Sequence, residues 1–231
     1  NANGTNIIEA EIADSFEIGL KNTLFGGSLT LNFAAFYAKY KNFQANNPDL
    51  VAGVVVTRFT NAGDVSTRGL EMDFVWRPAK DLNLVGGLAF TDAQVDAFKA
   101  PPGAAVIPAG TPLGFAPRWK GSLGMDYRYR TGGAVDFTLA GNVSTQSSQL
   151  SLFDASQALR DAGTIGAYSL VDLQFGLVEK EDKFRLTFIV KNLFDQSFAA
   201  QITNGGPGNA FRYLIPREAD RYFGIPGRIN F

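Results

Sequence analysis

The chain has 231 residues, 45% of them hydrophobic and 19% charged, with a formal net charge of −1. That balance excludes a globally disordered chain and leaves no basic field to attract nucleic acid. It contains neither cysteine nor histidine, so disulfides, thiolate nucleophiles, zinc–sulfur sites, Ser-His-Asp triads and imidazole metal sites are ruled out.

No run approaches the roughly 18–20 apolar residues of a membrane-crossing helix. The patterning is of another kind: apolar and polar side chains alternate with a period of two, which places them on opposite faces of a strand. Residues 11–20 read as a first strand, with Phe16, Ile18 and Leu20 on one face and Glu17 and Gly19 on the other. A Gly-Gly turn at residues 22–27 leads to a second strand at 28–43, whose apolar face carries Leu29, Leu31, Phe33, Ala35 and Tyr37. Residues 44–53 read as a polar loop. A third strand over 54–76 is interrupted at Asn61-Ala62-Gly63-Asp64, the signature of a bulge or kink.

A tight turn at 77–81 precedes a fourth strand at 82–98, and a Pro/Gly/Ala-rich loop covers 99–117. The fifth strand, 118–130, shows the alternation best. Trp119, Leu123, Met125, Tyr127 and Tyr129 face one way; Lys120, Ser122, Asp126 and Arg128 face the other. A sixth strand follows at 134–147. The loop at 148–167 is expected to hold a helical turn around 154–160. Strands at 168–179 and 184–192 flank a charged turn, and a long loop at 194–220 leads to a last strand carrying Phe223, Ile225, Ile229 and Phe231.

Nine strands are thus expected, with connections alternating short and long. Short turns on one side and long loops on the other mark an all-β, transmembrane antiparallel β-barrel of the bacterial outer membrane, with the long loops outside. Nine is odd, whereas bacterial single-chain barrels close on even numbers, so the expectation is the C-terminal part of a larger barrel.

Six segments in order resemble the C-terminal half of TonB-dependent outer-membrane receptors. Residues 11–21 (EIADSFEIGLK) are similar to that family's "PE…s…yElGlK" strand, which the next strand ends as FYAKYKNFQ (36–44). Residues 61–71 (NAGDVSTRGLE) resemble "NaG…s.GvE", and Arg77-Pro78 its short turn. APRWK (116–120) resembles the "aP.w" strand entry, VKNLFD (190–195) matches "v.NLfD", and PGRINF (226–231) the terminal strand. The resemblance covers residues 1–231 as one barrel segment. It implies a 22-stranded barrel filled by an N-terminal plug, which imports a scarce nutrient, most often a ferric siderophore, with energy from TonB. The plug, the TonB box and the earlier strands have no counterpart in these residues. A non-transporting outer-membrane scaffold and a passive porin are the alternatives.

The polar face carries Glu17, Lys21, Glu71, Asp73, Lys120, Asp126, Arg128, Asp136, Asp172, Arg185 and Lys191. These read as a mixed-sign wall whose charges neutralise one another across strands. Glu71 and Asp73 are ordinary same-face neighbours, not a catalytic pair; no enzyme activity, cofactor or metal site is expected. Residues 204–208 (NGGPG) lack the Lys-Ser/Thr ending of a phosphate loop. Phe211, Arg212, Tyr213 and Arg217 are the candidate ligand contacts, since aromatics and arginine dominate binding hot spots; Phe194 and Phe198 lie near them in sequence. Phe223, Ile225, Ile229 and Phe231 resemble the C-terminal signal read by the barrel-assembly machinery. The expected partners are outer-membrane lipid, that machinery, the TonB complex through a preceding segment, and a small-molecule ligand, with no nucleic acid.

Overall fold

The computed structural model describes residues 8–51, 54–100, 105–205 and 210–230. The chain forms β1 (Ile12–Leu24), β2 (Leu29–Val51), β3 (Val54–Ala79), β4 (Leu82–Phe98), β5 (Trp119–Tyr129) and β6 (Val135–Gln146). A short hairpin of β7 (Gln149–Leu150) and β8 (Thr164–Ile165) brackets the helix α1 (Gln157–Ala162). Then come β9 (Tyr168–Glu179), β10 (Phe184–Lys191), a second hairpin of β11 (Gln201–Asn204) and β12 (Phe211–Leu214), and finally β13 (Tyr222–Gly224) and β14 (Gly227–Ile229).

The main sheet is antiparallel in the order β1-β2-β3-β4-β5-β6-β9-β10, with β13 and β14 both on the far side of β10. Ile189 lies opposite Gly224 and Leu186 opposite Gly227, so the two short pieces share one register. They are a single crossing strand divided at Pro226, which has no N–H to give the ladder. Its carbonyl still accepts from Thr187 N at 3.0 Å. Among the described residues nine strands therefore cross the sheet, as the alternation predicts. Among the described residues β1 bonds only to β2 and the last strand only to β10, so the sheet is not closed on itself.

Register turns the alternation into rows. Ile18, Ala35, Leu70, Phe90 and Trp119 form a row on one face; Gly19, Ala34, Glu71, Ala89, Lys120 and Gln146 form the neighbouring row on the other. The apolar face is bare: Phe16 is 69% exposed, Ile18 76% and Ile225 69%. So large an apolar surface fits contact with an apolar medium. From Trp119 to Tyr129 the strand rises about 33 Å, and a tilt of about 40° reduces that to about 25 Å, the height of a barrel's lipid-facing band. Aromatic pairs mark its two rims, Phe90 on Trp119 at 4.8 Å and Phe137 on Phe175 at 5.8 Å.

The connections 25–28, 80–81, 130–134 and 180–183 share one end of the sheet, the turn end; the extended β2–β3 hairpin and the long connections after β4, β6 and β10 share the other, the loop end. Several segments differ from the sequence reading, among them β1, which runs on to Leu24 into the expected turn, and the loop at 148–167, which holds the β7–β8 hairpin. Residues 44–51, expected as loop, continue β2, with Gln44 opposite Asn61 and Val51 opposite Val54. This hairpin runs on past the last pairs with β1 (Ile12 with Lys41) and β4 (Phe98 with Gly63). Among the described residues this pair has no third neighbour, and without one nothing imposes a strict alternation on its sequence. The expected break at 61–64 is where the β2 and β3 registers shift, with Gly63 at φ +133°. The long loop after β10 contains the β11–β12 hairpin, whose four-residue strands are too short to show a period. Helix α1 lies three residues later than expected, capped by Ser156.

Candidate functional site

The polar face is partly neutralised, as expected. Lys191 donates to Asp172 at 2.6 Å across β10 and β9, Arg128 to Asp136 at 3.0 Å, and Asn32 to Asp73 at 2.9 Å. Glu17, Lys21, Glu71, Lys120 and Asp126 carry no hydrogen bond or ion pair among the described residues. Three atoms on this face are buried without a partner: Asn83 Oδ1, Gln146 Nε2 and Arg185 Nε. Small residues flank these groups, as Gly19, Ala34 and Ala89 do in the row of Glu71 and Lys120. Two hollows result. One of about 500 Å³ toward the loop end is lined by Glu71, Asp73, Lys120, Gln146 and Tyr168; one of about 700 Å³ at the turn end by Arg77, Lys80, Asn83, Asp126 and Arg185. A face of small residues with unpaired polar groups between them is built to meet polar matter, whether water or another domain.

At the loop end the long connections bury Ile107, Ile165 and Ile202 beside Val95 of β4, and backbone bonds from Val95 N to Thr111 O and from Phe115 N to Leu150 O tie them together. Ser151 Oγ both donates to Ile202 O and accepts from Ile202 N, each at 2.8 Å, which clasps the loop after β6 to the β11–β12 hairpin. Asn192 ties the base of the last loop. It is 2% exposed, and its side chain donates to Gln196 O and Glu218 O, both at 3.1 Å, and accepts from Gln196 N at 2.8 Å. Its backbone N–H donates to Asp172 Oδ1 at 2.9 Å, and its φ of +51° is one that Asn tolerates. Asp195 then accepts from Arg221 N at 2.8 Å. The Asn-Leu-Phe-Asp segment is thus the clamp that ties Gln196, Glu218 and Arg221 at the base of the last long connection.

On this base stands the hairpin. Phe211, Arg212 and Tyr213 are consecutive on β12, opposite Asn204, Thr203 and Ile202. Arg212 is exposed, Tyr213 is 57% exposed and Phe211 is half-buried. Arg217 takes a different post: it starts a 3-10 turn and its guanidinium lies 5.0 Å over the Tyr222 ring at the foot of the loop. Phe198 is stacked on Tyr168 at 4.1 Å, while Phe194 is exposed. Among the described residues no cluster of three or more Asp or Glu side chains could hold a metal ion.

Phe223, Ile225 and Ile229 lie exposed on the apolar face of the last strand, with Phe223 stacked on Phe188 at 6.1 Å; Phe231 lies outside the described residues. At the turn end Arg130 grips Asp81 through two 2.6 Å hydrogen bonds, which join the β3–β4 and β5–β6 turns. That guanidinium holds the Asp81 carboxyl below its ordinary value. Asp182 receives Arg185 at 3.3 Å and Arg228 at 2.8 Å, anchoring the last strand.

One charged group escapes sequence reasoning. Arg68 and Asp92 are cross-strand partners in the register that carries Leu70 and Phe90, so they lie on the apolar face. Arg68 Nε and Nη2 reach Asp92 Oδ2 at 3.1 and 2.9 Å, and Arg118 Nη2 reaches Oδ1 at 3.1 Å. Counting residues back from Leu70 would have exposed the breach.

The "TonB dependent receptor-like, beta-barrel" family matches residues 1–193. The metal-pseudopaline receptor CntO of Pseudomonas aeruginosa is 30% identical over 124 residues, 54% of this chain and 16% of that receptor. Among solved structures, the ferric yersiniabactin uptake receptor FyuA of Yersinia pestis superposes with a TM-score of 0.72 at 22% identity, over 97% of this chain and 30% of that one. The ferric-catecholate import receptor Fiu of E. coli K12 in its closed form gives 0.71 at 19% identity, over 100% of this chain and 29% of that one. The chain therefore spans about a sixth of the curated relative and under a third of these structures.

Proposed function

The chain belongs to the TonB-dependent receptor β-barrel family, and from that premise we propose that it is the C-terminal wall of an outer-membrane barrel that takes up a scarce, chelated metal. Its relatives are receptors for transport, not enzymes. In this reading the apolar face contacts outer-membrane lipid and the long connections stand at the cell surface. A plug from a preceding segment covers the polar face, and TonB drives the plug. The barrel-assembly machinery reads the last strand through Phe223, Ile225, Ile229 and Phe231.

The observation that carries the proposal is the asymmetry of the two ends. Among the described residues the long connections after β4, β6 and β10 gather at one end, joined by Phe115 N to Leu150 O and by Ser151 to Ile202, and there the Asn192 clamp holds an exposed aromatic–arginine hairpin. Arg212, on one face of β12, offers a guanidinium for the oxygen donors of an anionic metal chelate, and Tyr213, on the other face with Phe211, offers a ring for apolar contact. Phe211 backs them from its half-buried position, and Arg217 braces the loop through Tyr222. The unpaired groups of the polar face fit a lumen filled by a polar domain. A ferric siderophore is the cargo class we infer, in line with the names of FyuA and Fiu.

The test is growth of a receptor-deletion strain, complemented with the full receptor, on iron withheld by a strong chelator and supplied as ferric hydroxamate, ferric catecholate or a pseudopaline-type complex. The proposal expects growth on at least one of these that needs both the receptor and TonB, and whose half-saturating chelate concentration R212A/Y213A raises at least tenfold. Equal growth with and without the receptor on every complex would refute it.

A further inference from the structure

The breach on the apolar face points to a second ligand. Arg68, Asp92 and Arg118 sit one row beyond Leu70, Phe90 and Trp119, just outside the aromatic rim at the loop end. Two guanidinium groups share a single carboxylate, so the group is net positive. The Asp92 side chain is 10% exposed, whereas those of Arg68 and Arg118 are 67% and 60% exposed. The arginines therefore keep N–H groups free on the side that faces the membrane. Lys39 lies one row further out on the same face, 4.0 Å from Asp96.

Directly below the arginines the same face is hollow. A groove of about 650 Å³ is lined by Ile18, Leu20, Phe33, Leu70, Phe90 and Trp119, and its floor is the small side chain of Ala35. Ile18, Ala35 and Leu70 are consecutive partners in one row, so Ala35 leaves a trough between two branched neighbours. An apolar trough ending at two exposed, forked cations matches a phosphorylated amphiphile: acyl chain in the trough, phosphate on the guanidinium pair.

We propose that this patch is a specific site for the phosphorylated glycolipid of the leaflet at the loop end, with Arg68 and Arg118 holding a sugar-borne phosphate and the Ala35 trough holding an acyl chain. The site rests on the outer-membrane orientation proposed above, but not on any transported cargo. It is separate from the hairpin site, since its residues stand on β3, on β4 and just before β5, whereas the hairpin is β11–β12, a sheet of its own. Mixed charge at this level suits a glycolipid that carries several anionic groups, because Asp92 and Asp96 hold the cations in place without cancelling them.

The experiment is native mass spectrometry of the full receptor in detergent, titrated with purified lipid A or with phosphatidylglycerol. Variants are R68Q/R118Q, R68K/R118K, A35F and, on the polar face, K120Q. Heat-dependent gel mobility reports that each barrel is folded. The proposal expects one lipid A bound preferentially, weakened about 25-fold in R68Q/R118Q, since each surface cation contributes about fivefold. R68K/R118K should bind more weakly than the parent but more tightly than R68Q/R118Q, because lysine keeps the charge and loses the fork; A35F should lose binding by filling the trough, and K120Q should match the parent. Equal lipid A binding by parent and R68Q/R118Q overturns the site, and a preference for phosphatidylglycerol overturns its assignment to the glycolipid. A strain that fails to take up any chelate while lipid A still binds counts against the transport proposal alone.

Discussion

Replacing Gly63 with alanine should be among the most damaging single-methyl changes in this chain. Gly63 stands where β3 leaves its regular register with β2 and makes its last pair with β4, opposite Phe98. Its φ of +133° lies in a region that only glycine adopts freely, which costs alanine about 1–3 kcal/mol. A Cβ here would come within 2.0 Å of Ala97 O and 2.9 Å of Ala97 C. An ordinary C···O contact is about 3.3 Å, so the two backbones must part by more than an ångström. Such overpacking costs about 1–3 kcal/mol. The separation also strains the neighbouring Lys99 N to Ala62 O hydrogen bond of 2.8 Å, worth about 1 kcal/mol. The three together give about 3–7 kcal/mol. Gly132 is the control: its φ is +76° but nothing lies within 4 Å of an added methyl, so alanine there should cost about 1–2 kcal/mol. The assay is urea titration of the full receptor refolded into bilayers, followed by heat-dependent gel mobility. If G63A destabilises no more than G132A, the bulge geometry argued here is wrong.

Three further outcomes follow from the same contacts. N192A removes three hydrogen bonds at a 2%-exposed position and puts alanine at φ +51°; it should cost about 2–4 kcal/mol and expose residues 193–221 to limited proteolysis, with the strands below left intact. Because Arg130 lowers the Asp81 carboxyl below its ordinary value near 3.8, the stability from this pair is present above that value and lost as pH falls through the lowered one. The difference in urea midpoint between pH 7 and pH 3 should therefore be smaller for D81N than for the parent. Swapping Phe223 or Ile229 for Asp on the exposed apolar face should reduce the amount of receptor in the outer-membrane fraction severalfold, whereas Lys120→Asp on the polar face should leave it unchanged.

How far the sequence carried the fold depended on where physics imposes a period. Between Phe90 and Leu82, or Trp119 and Tyr129, one face meets apolar surroundings and the other does not, so alternation is written into the residues; β4 and β9 have the bounds the sequence predicts. The turns were equally visible, because Asp81, Asp182 and Asn192 occupy positive φ where Asn and Asp are tolerated. Beyond the rim the constraint vanishes. Residues 44–51 and 54–60 belong to a hairpin with no third strand beside it among the described residues, and Phe211 to Leu214 is too short to repeat. The candidate site was visible only in type: Phe211, Arg212 and Tyr213 fall on one hairpin strand, but nothing in the sequence shows that Arg217 turns to Tyr222. The Arg68–Asp92–Arg118 group was concealed by its motif, whose resemblance to a known segment drew attention away from the face its arginine occupies.

The proposed uptake route depends first on which end of the sheet faces the outside. The chain contains no cysteine, so single cysteines can be placed in this segment of the full receptor and probed on intact cells with a membrane-impermeant maleimide. Cysteines at Ser148 and Asn204, in the long connections, should be labelled. Those at Gly132 and Lys180, in the short turns, should be labelled only after the outer membrane is opened. Labelling of the short-turn positions on intact cells, with the long connections protected, would contradict the orientation and with it the proposed uptake route.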